Sequence, residues 1–315
     1  MMLAYTFKRL LLAVGIVVAI ATVLFCAVFL IPGDPATVAL GPRATPEMRA
    51  ALTERLGLDQ PMPVQLVNFF ANLVQGDLGR DVWSNRDVLD IVFEDLPHTL
   101  ALLAAGLAWP LLLALPLGCL AAVRPGSFAD IAVSVLSVGV IAVPSFVVAI
   151  ITLIIFAVKL QWLPAIGVGE PGDVMDYLSH LALPAFAIGL GWLGYFSRIA
   201  RASMLEVLGE DHIRTLRAYG VPNQRILFGY ALKIAVQPIV AMVGLGIGTM
   251  LSGAVFAEIV FSRPGIGKLL FTSVLNRNYP VVMGATVVTT TFLVAGALVV
   301  DLINAWLDPR SRERL

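Results

Sequence analysis

The sequence predicts an all-α, polytopic membrane protein, and three observations carry that prediction. Hydrophobic residues make up 59% of the 315 positions, and charged residues only 13%. Mean hydropathy is +0.90. A soluble domain has too little interior to bury that much apolar surface, whereas a bilayer supplies an apolar solvent. The third observation is that the apolar residues gather in six long runs, each able to cross a hydrocarbon core of about 30 Å at about 1.5 Å per residue.

Lys8 and Arg9 precede the first run, residues 10–31. A cleaved secretory signal competes for this segment, but the run is longer than the apolar core of a signal and no A-x-A-like site follows. Nor does Leu24-Phe25-Cys26 resemble a lipoprotein site. Pro32-Gly33-Asp34-Pro35 ends the helix, because proline has no backbone N–H and biases the preceding residue away from the α region. The chain is then polar and mixed to about His98. Within it, residues 64–75 put Val64, Leu66, Val67, Phe69, Phe70, Leu73 and Val74 on one broad face. That pattern reads as an amphipathic helix on the membrane or on the bundle, or as part of a small extramembrane subdomain.

The second span, residues 99–123, carries Pro110 and Pro116, which neighbouring groups in a bundle can accommodate. After a brief turn at Arg124-Pro125-Gly126-Ser127 comes the third run, residues 131–158, with Pro144 inside it; Trp162 and Pro164 then mark the interface. Residues 180–200 form the fourth span and 234–260 the fifth. Along the fifth, Gly244, Gly248 and Ser252 recur every four residues, clearing one face for close helix packing within the chain or across a subunit boundary. Residues 281–307 make the sixth span, and 308–315 a short basic tail.

Six spans place both termini on one side. That side carries twelve basic residues against nine on the other. Five of those nine lie in the first loop, which is too long to weigh heavily in the positive-inside rule; without it the count is twelve against four. The termini are therefore expected in the cytoplasm. The first loop, with ten carboxylates, presents an acidic face to the outside.

Several chemistries find no support. Cys26 and Cys119 both fall in apolar runs, where packing is their expected role, and His98, His180 and His212 have no metal-ligand spacing. Balanced charge gives no case for nucleic acid. There is no H-E-x-x-H and no G-x-S-x-G, and Gly265-Ile266-Gly267-Lys268 lacks both the first glycine and the final hydroxyl of a P-loop. Neither a catalytic nor a cofactor-binding residue is expected. Glu258 and Asp301 are the ionisable candidates near the spans, and their places at span ends predict contact with water or a basic neighbour.

One polar segment interrupts this pattern. Residues 210–219 read as a short helix closed by Gly220, with Pro222 beyond it, and residues 223–233 as the start of a second helix running into the fifth span. It is either a knob for a partner or an ordinary cytosolic loop.

Here the chain resembles a known family. Arg214-Thr215-Leu216-Arg217-Ala218-Tyr219-Gly220, with Pro238 eighteen residues beyond the glycine, resembles the EAA loop of ABC-importer permeases of the dipeptide/oligopeptide/nickel branch. So do Ile31-Pro32-Gly33-Asp34-Pro35, Leu56-Gly57-Leu58-Asp59-Gln60-Pro61, Gly76-Asp77-Leu78-Gly79, Leu96-Pro97-His98-Thr99-Leu100, Glu258-Ile259-Val260-Phe261 through Pro264-Gly265-Ile266-Gly267, and Asp308-Pro309-Arg310, in the same order. Leu216 and Tyr219 depart from the small residue and the lysine common in that branch, and Lys233 stands where other branches carry proline.

The resemblance implies a type I importer permease fold, with residues 1–31 as an N-terminal segment and first span and 32–98 as an extracytoplasmic region. Residues 99–307 would be the five-helix core, with a coupling loop at 201–233, and 308–315 a cytoplasmic tail. It implies an inner-membrane subunit that forms half of a translocation pathway for peptides, with glutathione, nickel chelates, opines or sugars also compatible. The implied partners are a second homologous permease in a heterodimer, two ATP-binding subunits that use ATP and magnesium, an extracytoplasmic substrate-binding protein, and lipid. The coupling helix would use Asp211, Arg214, Thr215, Arg217, Ala218 and Gly220. A stand-alone carrier or channel, and a membrane scaffold, are the competing classes.

Overall fold

A computed structural model describes residues 2–30, 45–47, 50, 53 and 59–307. The 31–35 motif, the 56–58 part of the next motif and the 308–315 tail lie outside the described residues. The helices are α1 (Met2–Leu30), α2 (Met62–Val74), α3 (Val88–Val123), α4 (Phe128–Ala142), α5 (Ser145–Thr152) and α6 (Val174–Gly209). They continue with α7 (Asp211–Ala218), α8 (Asn223–Arg225), α9 (Leu232–Ala235), α10 (Gln237–Val260), α11 (Ile266–Leu275) and α12 (Tyr279–Leu307). Two π-helical turns interrupt the series, Leu153–Lys159 after α5 and Ile226–Ala231 between α8 and α9. Among the described residues, an isolated bridge between Arg80 and Asp87 is the sole strand-like pairing.

Among the described residues, five helices are long and apolar enough to cross a membrane: α3, α6 and α10 throughout, and Thr6–Ala27 and Tyr279–Asn304 within α1 and α12. The sixth is a pair, Phe128–Ala142 with Ser145–Lys159, bent by 96°. The all-α, six-span expectation therefore holds, with corrections inside it. The third run is not one straight helix: Val143 is extended (φ −90, ψ 120) and Pro144 starts a new one. The spans also overrun their apolar windows, since caps rather than hydrophobicity set helix ends. The Asp173 side chain accepts from the amides of Met175 and Asp176, so α6 starts at Val174 instead of 180. Residues 223–233 do not run into the fifth span as one helix. They divide into α8, a π turn and α9, and α10 begins at Gln237 because Pro238 cannot supply the amide that would carry the helix across Val236.

The chain forms two compact units, one of residues 1–6, 98–264 and 296–315, the other of residues 7–97 and 265–295. In the first, α3 and α6 meet along a seam of glycines. A Cβ on Gly189 would lie 2.4 Å from the Trp109 indole nitrogen and 2.5 Å from the Gly106 carbonyl oxygen. One on Gly118 would lie 2.4 Å from the Ala200 Cβ. The Trp109 indole donates to the Ala185 carbonyl at 3.0 Å and stacks on Phe186 with centroids 5.2 Å apart. In a membrane, such backbone proximity is the main source of helix association. Gly189→Leu is accordingly expected to cost about 1–3 kcal/mol by overpacking, read as a lower thermal midpoint of the purified protein.

In the second unit, Val88, Val92 and Leu96 of α3 pack with Ile266, Val281 and Ala285. The amphipathic stretch is helical as α2, has no buried residue, and touches α1 through Phe69 and Phe25, whose centroids are 5.7 Å apart. Before α3 the chain turns around Asp81, whose carboxylate accepts from the Trp83 and Ser84 amides, the Ser84 hydroxyl and the Asn278 side-chain amide. Burial pushes the Asp81 pKa up, but those hydrogen bonds outweigh it and hold the group below its ordinary 3.8. A carboxylate held low in the folded state stabilises that state above its unfolded pKa, and the contribution fades as pH falls through the folded value. Hydrogen exchange at the Trp83 and Ser84 amides, corrected for intrinsic rate, should therefore accelerate below about pH 4. Asp81→Asn should remove the pH step.

Candidate coupling site

The polar segment folds as a short helix with a defined end. Asp211 stands in the first turn of α7 and Arg217 in the last, each matching the helix dipole. At the C-terminus the Gly220 amide donates to the Arg217 carbonyl at 3.0 Å and the Val221 amide to the Leu216 carbonyl at 3.1 Å. That pair of bonds is a Schellman motif, which needs a left-handed residue at its turn, and Gly220 supplies it with φ +76. Nothing lies within 4 Å of a Cβ built on Gly220, so its requirement is conformational rather than steric. Pro222 follows and stops the helix.

Two apolar residues fix α7 to the first unit. Ile213 is fully buried and Leu216 packs beside it, in a cluster with Cys119 and Ala122 of α3, Met204 and Val207 of α6, and Ile226, Ala231 and Val221. This apolar anchor was not singled out in the sequence, although Ile213, Leu216 and Val221 are its visible signal. The opposite surface is open. Asp211, Arg214, Thr215, Arg217, Ala218 and Gly220 are all exposed, so the structure brings the six expected residues together on one short element. Arg214 reaches Asp211 at 3.4 Å, and the Thr215 hydroxyl donates to the Asp211 carbonyl at 2.9 Å. Tyr219, absent from the expected set, is 81% exposed beside them. Two turns before the end of α6, the Arg201 guanidinium donates to both carboxylate oxygens of Asp130, one at 2.9 Å, and so ties α6 to the first turn of α4.

Of the small-residue stripe on α10, the packing within this chain falls at Gly244. A Cβ on Gly244 would lie 3.1 Å from a Val300 methyl, a Cβ on Gly248 would meet nothing within 4 Å, and Ser252 is exposed. Other glycines on α10 are also tightly faced: a Cβ on Gly246 would lie 3.2 Å from the Trp192 ring, and one on Gly253 would lie 3.1 Å from the Ser145 hydroxyl.

At the far end of α10, Glu258 is fully buried and accepts from the Thr99 hydroxyl at 2.6 Å; of the two contacts expected for it, water and a basic neighbour, the fold supplies the second, Arg263. Five residues on, Arg263 is also 0% exposed. Its guanidinium lies over the Tyr177 ring, 4.8 Å from the centroid, and its three nitrogens have no hydrogen-bond acceptor. Burial lowers the Arg263 pKa, opposed by Tyr177 and by the Glu258 carboxylate. Counting charges by loop gave no sign of this, because Arg263 stands among loop residues in the sequence. Asp301 is half-buried on α12.

Comparison with known proteins places this arrangement in context. A family model described as "Binding-protein-dependent transport system inner membrane component" matches residues 114–313, and one described as "Binding-prot-dependent transport system membrane comp, N-term" matches residues 2–103. A Brucella ovis protein named as a peptide permease is 38% identical over 98% of this chain and 99% of its own length. An oligopeptide transport system permease protein of Bacillus subtilis is 34% identical, with the same shares covered. Among solved structures, the MetNI methionine ABC transporter in inward-facing conformations matches with a TM-score of 0.56 at 17% identity, covering 69% of this chain and 96% of that one. At that identity the likeness speaks for the fold alone.

Proposed function

The chain belongs to the binding-protein-dependent transport system inner membrane component family, and on that premise we propose that it is a transmembrane permease subunit of a bacterial ABC importer for di- and oligopeptides. The observation that carries the peptide assignment is end-to-end similarity, over 98% of the chain, to permeases named for peptides. The importer mechanism has its counterpart in α7, a short, rigidly capped helix with one face anchored and the other open.

In this reading the chain forms half of a translocation pathway with a second homologous permease. Two ATP-binding subunits receive α7 through Asp211, Arg214, Thr215, Arg217, Ala218 and Gly220. A substrate-binding protein delivers cargo from the outer side. ATP and magnesium serve the ATP-binding subunits, while this chain holds no cofactor and catalyses no reaction. Both termini and α7 face the cytoplasm, as the basic-residue count favours. ATP-driven closure of the partners moves α7, and the spans exchange between inward-open and outward-open arrangements.

Reconstitution tests this directly. Proteoliposomes holding both permeases and the ATP-binding subunits should accumulate labelled dipeptide only with ATP and the binding protein. Uptake by this chain alone, without ATP, would make it a secondary carrier or channel instead.

A further inference from the structure

The break between α4 and α5 occurs after fifteen residues of helix, about 22 Å from the start of α4 at about 1.5 Å per residue. That depth lies within a hydrocarbon core of about 30 Å. The last carbonyls of a helix have no intrahelical amide partner. At membrane depth such backbone is tolerated where it is buried in protein or lines a water-filled space, not where it faces lipid.

A cavity of about 630 Å³ opens at this break, within the first unit. Its size is that of a small-ligand site. Pro144 and Ser145 form one side, the middle of α6 a second and the middle of α10 a third. Four hydroxyl-bearing residues converge on it, Ser145, Tyr195, Thr249 and Ser252. Thr249 directs its proton to the Gly246 carbonyl at 3.1 Å, which leaves its oxygen as an acceptor. Aromatic pairs form the walls: Phe146 with Phe256, centroids 5.8 Å apart, and Trp192 with Tyr195, 5.6 Å apart. Among the described residues that line it, none is charged. A lipid chain offers nothing to these hydroxyls, and a charged group finds no counter-ion here. An uncharged segment rich in amides matches both features, because hydroxyls pair with its N–H and C=O groups while aromatic faces take its side chains.

We propose that this cavity is a subsite on an aqueous passage through the protein, taking the amide segment of a transiting peptide. The proposal rests on the importer reading above and adds the place, the chemistry and the residues.

Thiol accessibility in the assembled complex tests it. With Cys26 and Cys119 replaced by alanine, Thr249→Cys is compared with Leu112→Cys, since Leu112 is a 73% exposed apolar residue on α3 that does not line the cavity. The probe is a membrane-impermeant, positively charged methanethiosulfonate, applied to proteoliposomes containing all partner subunits. Thr249→Cys is expected to be modified at least tenfold faster than Leu112→Cys, and several-fold more slowly during turnover with trialanine-loaded binding protein and ATP. Equal, slow modification at both positions would overturn the passage. Fast modification that trialanine leaves unchanged, in a complex that does import trialanine, would overturn the subsite. A complex that imports no peptide defeats the substrate reading, while the ratio of the two rates still decides whether the cavity is aqueous.

Discussion

Gly220→Val is expected to reduce ATP-driven uptake at least tenfold while the partner subunits continue to hydrolyse ATP or separate from the permease. The cause is local. Gly220 sits at φ +76, where a non-glycine residue costs roughly 1–2 kcal/mol and a β-branched one is a true outlier. Escape from that strain moves the backbone and breaks the two hydrogen bonds that end α7, those from Gly220 to Arg217 and from Val221 to Leu216. Val221 and Leu216 then lose their common seat in the apolar cluster, and the open face of α7 no longer has one orientation. Gly220→Asn separates this cause from a clash with a partner, because asparagine tolerates left-handed backbone. The asparagine variant should retain most uptake. If valine and asparagine are equally inactive, side-chain bulk rather than backbone conformation is responsible; if the valine variant transports normally, α7 is not the coupling element.

Glu258→Ala should lower the stability of the folded protein by about 3–5 kcal/mol, the usual result of removing one partner from a buried ionic group. Arg263 would keep its charge at 0% exposure without the carboxylate that opposes the effect of its burial, and the Thr99 hydroxyl would lose its acceptor. The check is the thermal midpoint of the purified protein, with the double variant Glu258→Ala/Arg263→Met as the diagnostic. Removing both charges should recover much of the loss, since methionine fills a similar volume without needing a hydrogen bond. Losses that simply add would show that the two side chains act independently.

The short polar helix α7 and the six apolar stretches were legible in the sequence because both depend on short-range patterns. A glycine followed by X-Pro stops a helix whatever surrounds it, and a run such as residues 10–31 crosses a bilayer on composition alone. Features that depend on packing between distant segments were not legible. Gly106, Gly118 and Gly189 form the tight α3–α6 seam without regular spacing, whereas a Cβ on the regularly spaced Gly248 would meet nothing within 4 Å and Ser252 lines a cavity. Pro144 is visible inside the third run, but the residue alone does not give the 96° between the two halves. The burial of Arg263 depends on Tyr177, 86 residues away in the sequence.

The anchoring of α7 also fixes how a load would travel. Its buried side is bolted by Ile213 and Leu216 to residues of α3 and α6, two stiff rods of 36 residues each. The covalent route onward to α10 passes a three-residue helix, a π turn, a four-residue helix and a turn at Val236, and its Ile226, Ala231 and Ala235 are seated in the same apolar cluster. A thrust delivered to α7 therefore passes sideways into α3 and α6 through packed side chains, and onward to α10 through a chain segment lodged in that same cluster.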